Sequence, residues 1–177
     1  MKTNIVTRAN GFIGMHFVPM LATSAFQIQK TGFGFGDLSD GKTWARLPSA
    51  DVVIHLAVKS SVLASWECPP DFVQSNCFGS SYALEFCRQH HAKLIIFSSN
   101  MYGDAGAKVI PESAPVIAKN PYALTKEFSE KLCENYSNNF VLKAVYLVHL
   151  TFKALSKAWG FLFQRLFAMP KHLSESM

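Results

Sequence analysis

Two glycines near the start of the chain have a spacing that suits phosphate binding. Gly11 and Gly14 lie three residues apart and follow a short β-branched run, Thr3 to Thr7. A glycine turn that opens a helix lets the backbone approach a phosphate closely, and the first amides of the helix donate to it. The alternative is a tight turn that packs a helix on a sheet. The spacing alone leaves both interpretations open.

A tyrosine and a lysine further along the chain have a spacing that suits proton transfer. Tyr122 and Lys126 are four residues apart, so a helix places both on one face. An ammonium beside a phenol stabilises the phenolate and lowers the tyrosine pKa toward the range of general acid–base chemistry. Ser98 and Ser99 follow an apolar strand and offer a hydroxyl to the same substrate oxygen. A Tyr-x-x-x-Lys pair arises easily by chance, so its weight comes from the order of all these motifs.

The elements that must position these motifs alternate between strand and helix patterns. The expected strands are 3–7, 26–30, 51–57, 93–97 and 140–148, and the expected helices are 15–21, 69–91 and 122–135. Glycines 32, 34, 36 and 41 indicate a loop. The apolar run at 51–57 is typical of a parallel strand covered on both faces. The pattern predicts an α/β fold, a Rossmann-like doubly wound parallel sheet with helices on both faces and its ligand at the carboxyl ends of the strands.

Composition narrows the class of protein. The chain has 177 residues, 49% hydrophobic and 16% charged, including 15 Phe, which is enough apolar material for a folded core. No apolar stretch is long enough to span a bilayer, and polar residues interrupt any signal-peptide pattern at the start. Four separated cysteines without a Cys-x-x-Cys pair favour reduced thiols and a cytoplasmic location.

The net charge of +5 is uneven along the chain. Residues 1–150 carry 13 Lys and Arg against 11 Asp and Glu, whereas residues 151–177 carry four basic residues against one acidic residue. A folded region with so small an excess gives no reason to expect nucleic-acid binding, which needs a clustered basic face. The division predicts a dinucleotide-binding domain at 1–150 and a basic amphipathic helix or tail at 151–177.

The ordered motifs resemble the NAD-dependent epimerase/dehydratase family, the nucleotide-sugar branch of the extended short-chain dehydrogenases/reductases. The matching stretches are 10–14, 36–38, 51–57, Asn76 with Gly79, 97–103 and 120–126. They occur in family order over residues 3 to about 149. The resemblance implies an enzyme that uses NAD, with NADP left open, on a small nucleotide-sugar substrate. It also raises a homodimer as an open alternative.

The resemblance implies a role for each matched residue. Tyr122 is the expected acid/base, Lys126 is expected to lower its pKa and hold the nicotinamide ribose, and Ser99, or alternatively Ser98, is expected to orient the substrate oxygen. The expected cofactor contacts are Arg8, Asn10, Gly11, Phe12, Ile13, Gly14, Asp37, Leu38, Leu56, Ala57, Lys59, Asn76, Tyr122 and Lys126. The nicotinamide does the difficult chemistry, and the protein supplies orientation and electrostatics.

The chain departs from the family pattern at three places. Arg8 replaces the first glycine of the turn, where a side chain costs energy if the backbone is strained, unless Arg8 clamps a phosphate. No acidic residue stands at the end of the second strand to bind a ribose hydroxyl. The substrate lobe is expected to be missing after the last strand. A truncated, catalytically inactive NAD-binding or interaction module is therefore the alternative function.

The remaining patterns are given ordinary structural interpretations. The tail residues Phe152, Leu155, Trp159, Leu162, Phe163 and Leu166 recur at helical spacing. A helix packed on the sheet is favoured there over contact with a membrane surface. No metal site is expected. Cys87 is the only thiol near His90 and His91 in the sequence, and no second pair of residues has the spacing of metal ligands. His55 is expected to be a satisfied core histidine. A solvated helix face is expected for Glu127, Glu130, Lys131 and Glu134.

Overall fold

A parallel sheet of five strands forms the centre of the computed structural model, which describes residues 2–22, 26–32, 34–99, 115–140 and 142–147. The strands are β1 (Lys2–Thr7), β2 (Phe26–Lys30), β3 (Val52–His55), β4 (Lys93–Phe97) and β5 (Ala144–Leu147). Their spatial order is β2-β1-β3-β4-β5, and every neighbouring pair is parallel. The order reverses between β1 and β3, which is where open α/β sheets place their ligands. The predicted fold class is confirmed.

Helices cover both faces of this sheet. The longer ones are α1 (Phe12–Ala22), α5 (Gly79–His90) and α6 (Pro121–Asn139), and the shorter ones are α2 (Gly41–Trp44), α3 (Val62–Glu67) and α4 (Pro69–Phe72). A π-helical turn, Val73–Phe78, joins α4 to α5. The helix predicted at 69–91 is therefore present but broken by a wider turn. Among the described helices, none combines the length and the apolar character that crossing a membrane requires.

Two separate apolar clusters hold the layers together. On one face, α1 packs Phe17, Val18 and Leu21 against Val6 and Ile54 of the sheet. On the other face, Trp44, Leu84, Phe86 and Cys87 pack with Ile5, Val53, Leu94 and Ile96. Alternate residues of each buried strand thus enter opposite clusters, as the period-2 geometry of a strand requires. Burial of these side chains is the main stabilising term for the sheet.

Two short helices were not predicted from the sequence. The loop expected around Gly41 contains α2, because the Asp40 side chain accepts from the amide of Lys42 and Trp44 buries its ring. Residues 62–67 form α3, which Ser61 caps by accepting from the amide of Ala64. Both helices are too short for periodicity to reveal them, and their capping residues decide where they begin.

All four cysteines are free thiols. Cys68 is exposed at the junction of α3 and α4, whereas Cys77, Cys87 and Cys133 are buried. Burial raises the pKa of each of these three thiols, to about 11 for Cys77 and about 12 for Cys133. The tail interpreted as residues 151–177 lies outside the described residues.

Candidate functional site

A cleft of about 390 Å³ opens at the carboxyl ends of β1, β3 and β4. It lies at the point where the strand order reverses, so the topology and the cavity agree on the position of the site. Nine residues predicted from the sequence line it: Arg8, Gly11, Phe12, Ile13, Gly14, Leu56, Ser98, Ser99 and Tyr122. Motifs as far apart in sequence as the glycine turn and the tyrosine helix therefore meet at one cavity.

The glycine turn has the shape of a phosphate cradle. A Cβ on Gly14 would lie 2.5 Å from the carbonyl oxygen of Arg8 and 2.6 Å from that of Ala9, both rigid backbone atoms. The turn closes through hydrogen bonds from the Gly11 amide to Arg8 (2.9 Å) and from the Met15 amide to Gly11 (2.8 Å). Only glycine fits at position 14, and α1 consequently begins against the strand end with its first amides at the cleft.

Arg8 has an unusual backbone and crosses the cleft. Its φ of 50° lies in the left-handed region, which favours glycine. Its guanidinium Nη1 donates to the carbonyl of Val58, which follows β3 on the opposite wall. Arginine at position 8, where the family pattern has glycine, therefore has two physical effects. It strains the turn, and it places a side chain over the cradle.

Thr7 connects the two strand ends beneath the cleft. Its Oγ1 accepts from the amides of Leu56 (2.9 Å) and Ala57 (3.0 Å). With both lone pairs used, its hydroxyl proton points to His55 Nδ1, 3.1 Å away. His55 is accordingly the tautomer protonated at Nε2. The motif search missed Thr7, although a hydroxyl residue ending a buried strand was the available signal.

His55 is a core histidine, as predicted, but an incompletely satisfied one. It is buried, and Nε2 has no hydrogen-bond partner in the described part of the chain. Desolvation, with a smaller contribution from the charge of Lys126, lowers the pKa of His55 to about 3. Its ring lies beside that of Trp44, with centroids 5.8 Å apart. The imidazole is neutral throughout the physiological range.

The helix α6 presents Tyr122 at the cleft. Asn120 caps this helix by accepting from the amide of Ala123 at 2.8 Å, and Pro121 occupies the first turn. Tyr122 is half-buried and lines the cavity. The N-cap therefore fixes where the helix begins and which residue of its first turn faces the site.

Lys126 lies one turn deeper and is 3% exposed. Desolvation lowers the pKa of Lys126 to about 8, while the nearby charges of Glu130, Cys133 and Cys77 act in the opposite direction. Lys126 is not among the residues that line the described cleft. Lys126 and Tyr122 both belong to α6, one turn apart, as their spacing predicted. Contact of Lys126 with a ribose remains a prediction.

The two serines after β4 differ in their surroundings. The Ser98 hydroxyl donates to Glu130 Oε1, whereas Ser99 is half-buried at the cleft. Desolvation raises the pKa of Glu130, which is itself buried. The prediction of a wholly solvated acidic face on α6 is wrong for Glu130, because this residue turns toward β4. Glu127 fits the prediction and pairs with Lys131 at 2.7 Å on the surface.

Asn76 ties the cleft to α6. Its Oδ1 accepts from the Lys59 amide at 2.8 Å, and its Nδ2 donates to the Lys59 carbonyl (3.0 Å) and to Thr125 Oγ1 (2.9 Å). It is almost completely buried in the π-helical turn. Asn76 therefore holds the loop after β3 rather than touching the cavity. The Lys59 ammonium pairs with Asp71 at 2.7 Å.

The other predicted cofactor contacts lie outside the lining of this cleft. Asp37 Oδ1 accepts from the amide and hydroxyl of Ser39, and the Leu38 carbonyl accepts from Trp44 Nε1. Asn10 lines a neighbouring cavity of about 400 Å³ beside the end of β2. Ala57 follows β3 and is half-buried. Within the described residues, no group of three or more metal-ligating side chains is present.

An apolar groove of about 870 Å³ lies on the outer side of α6. Its walls include the exposed side chains Trp66, Val73, Phe78, Leu124 and Phe128. Sequence reasoning did not identify this groove, because these five exposed residues come from three separate elements, α3, the π-helical turn and α6. The groove is separate from the cleft and shares no lining residue with it.

Comparison with characterised proteins agrees with this architecture. The chain is 33% identical over 147 residues to a UDP-glucose 4-epimerase of Halalkalibacterium halodurans, covering 72% of this chain and 44% of that protein. UDP-glucose 4-epimerase of Brucella ovis in complex with NAD superposes with a TM-score of 0.79 at 25% identity, over 85% of this chain and 52% of that one. The Thermus thermophilus enzyme, also with NAD, gives 0.76 at 28%, over 82% and 54%.

The chain spans about half the length of these relatives. The sequence model of the NAD dependent epimerase/dehydratase family matches residues 5–152, which include the glycine turn, both serines and the Tyr-Lys helix. The chain belongs to the NAD dependent epimerase/dehydratase family.

Proposed function

We propose that this chain binds a nicotinamide dinucleotide and supplies the catalytic groups of a nucleotide-sugar epimerase or dehydratase. The observation that supports this most strongly is the lining of one cleft by the glycine turn, Ser99 and Tyr122. The cradle fits a dinucleotide, because Gly14 leaves the backbone bare where a Cβ would collide. When bound, the nicotinamide would supply the acceptor for a hydride from a sugar carbon.

In this proposal Tyr122 is the acid/base. Its phenol oxygen removes a proton from a sugar hydroxyl and returns it when the carbonyl is reduced. Lys126 supports the phenolate electrostatically from one helical turn away, and its burial strengthens any interaction between the two groups. The lowered pKa of Lys126, about 8, implies that this electrostatic support weakens as the pH rises through that value.

Ser99 is the better candidate to orient the substrate oxygen. The Ser98 hydroxyl already donates its proton to Glu130, a carboxylate that a substrate oxygen would have to displace. Ser99 lies at the cleft beside it. Ser98 then acts as a positioning residue that fixes the end of β4, and Ser99 donates to the oxygen that reacts.

The relatives support a substrate class. We propose UDP-hexoses as the substrates, because the relatives are UDP-glucose 4-epimerases.

Oligomeric state and location are proposed on other grounds. The groove on α6 offers exposed apolar side chains to a second copy of the chain, which supports a homodimer. We place the protein in the cytoplasm, where nucleotide sugars occur and free thiols such as these stay reduced.

The test combines binding and turnover on the full chain. NADH and NADPH fluorescence titrations are compared for the natural protein, Tyr122→Phe and the control Tyr82→Phe, whose ring packs against the core cluster away from the cleft. We expect Tyr122→Phe to keep dinucleotide binding and to reduce conversion of a UDP-hexose by roughly 100-fold or more. If neither dinucleotide binds at high micromolar concentration, the proposal fails. Binding together with unchanged turnover in Tyr122→Phe removes the acid/base role.

Arg8 supports a second candidate, a non-catalytic dinucleotide-binding or interaction module. Its side chain crosses the cleft to Val58 and its backbone is strained where the turn needs glycine. Under this candidate, a dinucleotide binds weakly and no UDP-hexose turns over, even when Arg8→Gly restores tight binding. Turnover by the natural chain or by Arg8→Gly would exclude it.

A further inference from the structure

We propose that the cavity at the end of β2 accepts the 2′-phosphate of a dinucleotide, so that this chain prefers NADP(H) to NAD(H). The proposal rests on the dinucleotide-binding function proposed above and adds a specificity to it. It concerns three consecutive residues, Lys30, Thr31 and Gly32, and their position beside the glycine turn.

Backbone hydrogen bonds hold this segment against the turn. Lys30 pairs in register with Val6 of β1, and the Thr31 amide donates to the Val6 carbonyl at 3.0 Å. The Ala9 amide then donates to the Thr31 carbonyl at 2.9 Å. Because Ala9 belongs to the turn itself, the end of β2 cannot move away from the cradle without breaking these bonds.

The position is the one that reads the adenosine ribose in Rossmann-like sheets. There, an acidic side chain binds the free 2′-hydroxyl of NAD, whereas a nearby cation accommodates the 2′-phosphate of NADP. The cavity at this place, about 400 Å³, is lined by Lys30, Thr31, Gly32 and Asn10, with four apolar residues completing its described lining. None of these described lining residues is acidic.

The charge and polarity of the cavity match a phosphate better than a hydroxyl. Lys30 is exposed at the strand end, so its ammonium can reach an anion in the cavity at little desolvation cost. The Asn10 side chain lies against Gly32, where a Cβ would be 3.0 Å from Nδ2. Thr31 is almost completely buried, and its Oγ1 has no hydrogen-bond partner among the described residues. A ligand oxygen entering here would meet the Lys30 ammonium and the Asn10 side chain, which both line the cavity.

The test measures binding rather than turnover. Dissociation constants of NADPH and NADH are measured by nicotinamide fluorescence, and those of 2′,5′-ADP and 5′-AMP by calorimetry, at low ionic strength. We expect NADPH and 2′,5′-ADP to bind roughly tenfold more tightly than their partners without the phosphate. This preference should shrink as salt is added, because the contact is partly exposed.

Charge reversal at Lys30 identifies the residue responsible. Lys30→Glu should remove the preference for the 2′-phosphate, and NADH should bind as tightly as before or more tightly, because a carboxylate here accepts from the free 2′-hydroxyl. Lys2→Glu is the matched control, since it makes the same charge change at the exposed opposite end of β1 and should alter neither ligand.

The possible results distinguish the preference for NADP(H) from the proposed dinucleotide-binding function. Equal or tighter binding of NADH than NADPH overturns the specificity while the dinucleotide function stands. An equal loss of both ligands in Lys30→Glu also overturns it. If none of the four ligands binds, the proposed function and the specificity fail together.

Discussion

The side chain of Arg8 lies directly over Gly11. A Cβ on residue 11 would be 3.0 Å from Arg8 Cγ and 3.2 Å from Nε, and the same arginine donates to the Val58 carbonyl across the cleft. The residue therefore closes over the cradle from its own turn, and the left-handed backbone that makes this possible is disfavoured for any residue with a side chain.

Two substitutions at Arg8 separate backbone strain from obstruction. Arg8→Gly relieves the positive φ, whereas Arg8→Ala removes the side chain and keeps the strain. We expect the glycine variant to be about 1 kcal/mol more stable than the alanine variant in urea unfolding. Equal stability of the two variants would mean that the turn carries no strain at this residue.

The same pair of variants reports on obstruction. We expect Arg8→Gly and Arg8→Ala both to bind NADH several-fold more tightly than the natural protein, because both uncover the cradle. Fluorescence titration measures this directly. Weaker binding in both would instead identify the guanidinium as a phosphate ligand.

Gly14 is predicted to be intolerant of substitution. Gly14→Ala forces a Cβ to within 2.5 Å of backbone oxygen, so we expect a loss of about 2–3 kcal/mol in the free energy of unfolding. Gly34→Ala is the control, since a Cβ there meets no atom within 4 Å. A loss at position 14 no larger than at position 34 would contradict the close approach of α1 to the turn.

Acid should destabilise the fold through His55. The folded-state pKa of His55, about 3, lies below the ordinary 6.5. Its contribution to the free energy of unfolding is therefore complete above pH 6.5 and is lost as the pH falls toward 3. Relative to His55→Asn, which keeps an acceptor for Thr7, the natural protein should lose about 2 kcal/mol between pH 6.5 and about pH 5. Urea unfolding at several pH values checks this. Parallel pH profiles would show that the imidazole is hydrated in the fold.

Lys126 should give a pH dependence of the same sign in a more alkaline range. Burial lowers its pKa from 10.5 to about 8, so the unfolded chain binds more protons between these values and stability rises with pH there. Compared with Lys126→Met, the natural protein should gain on the order of 3 kcal/mol from pH 8 to about 10.5. Below pH 8 the difference between the two proteins should be constant. A difference that is flat across the alkaline range would place the ammonium in contact with solvent.

The strands and the cleft were predictable because they depend on local signals. The apolar run at 51–57 is long enough to identify a buried strand, and the topology of a parallel sheet brings successive strand ends to one edge. Gly14 was predictable for the same reason, since close packing after a strand requires it. These features follow from residue type and spacing alone.

The missed features depend on partners distant in sequence. Glu130 has the spacing of a solvated helix face, yet it is buried because Ser98, 32 residues earlier, donates to it. The contacts of Asn76 with Lys59 and Thr125 span 17 and 49 residues. No periodicity reports such pairs, so only the folded chain reveals which polar side chains are buried.

Because of where the four thiols lie, an alkylating reagent should modify the protein at one cysteine only. Reaction requires an accessible thiolate, and burial denies both accessibility and ionisation to Cys77, Cys87 and Cys133. A maleimide dye should therefore modify Cys68 alone in the native state. The label would stand next to Pro69, at the margin of the apolar groove, and would sense any molecule that settles there.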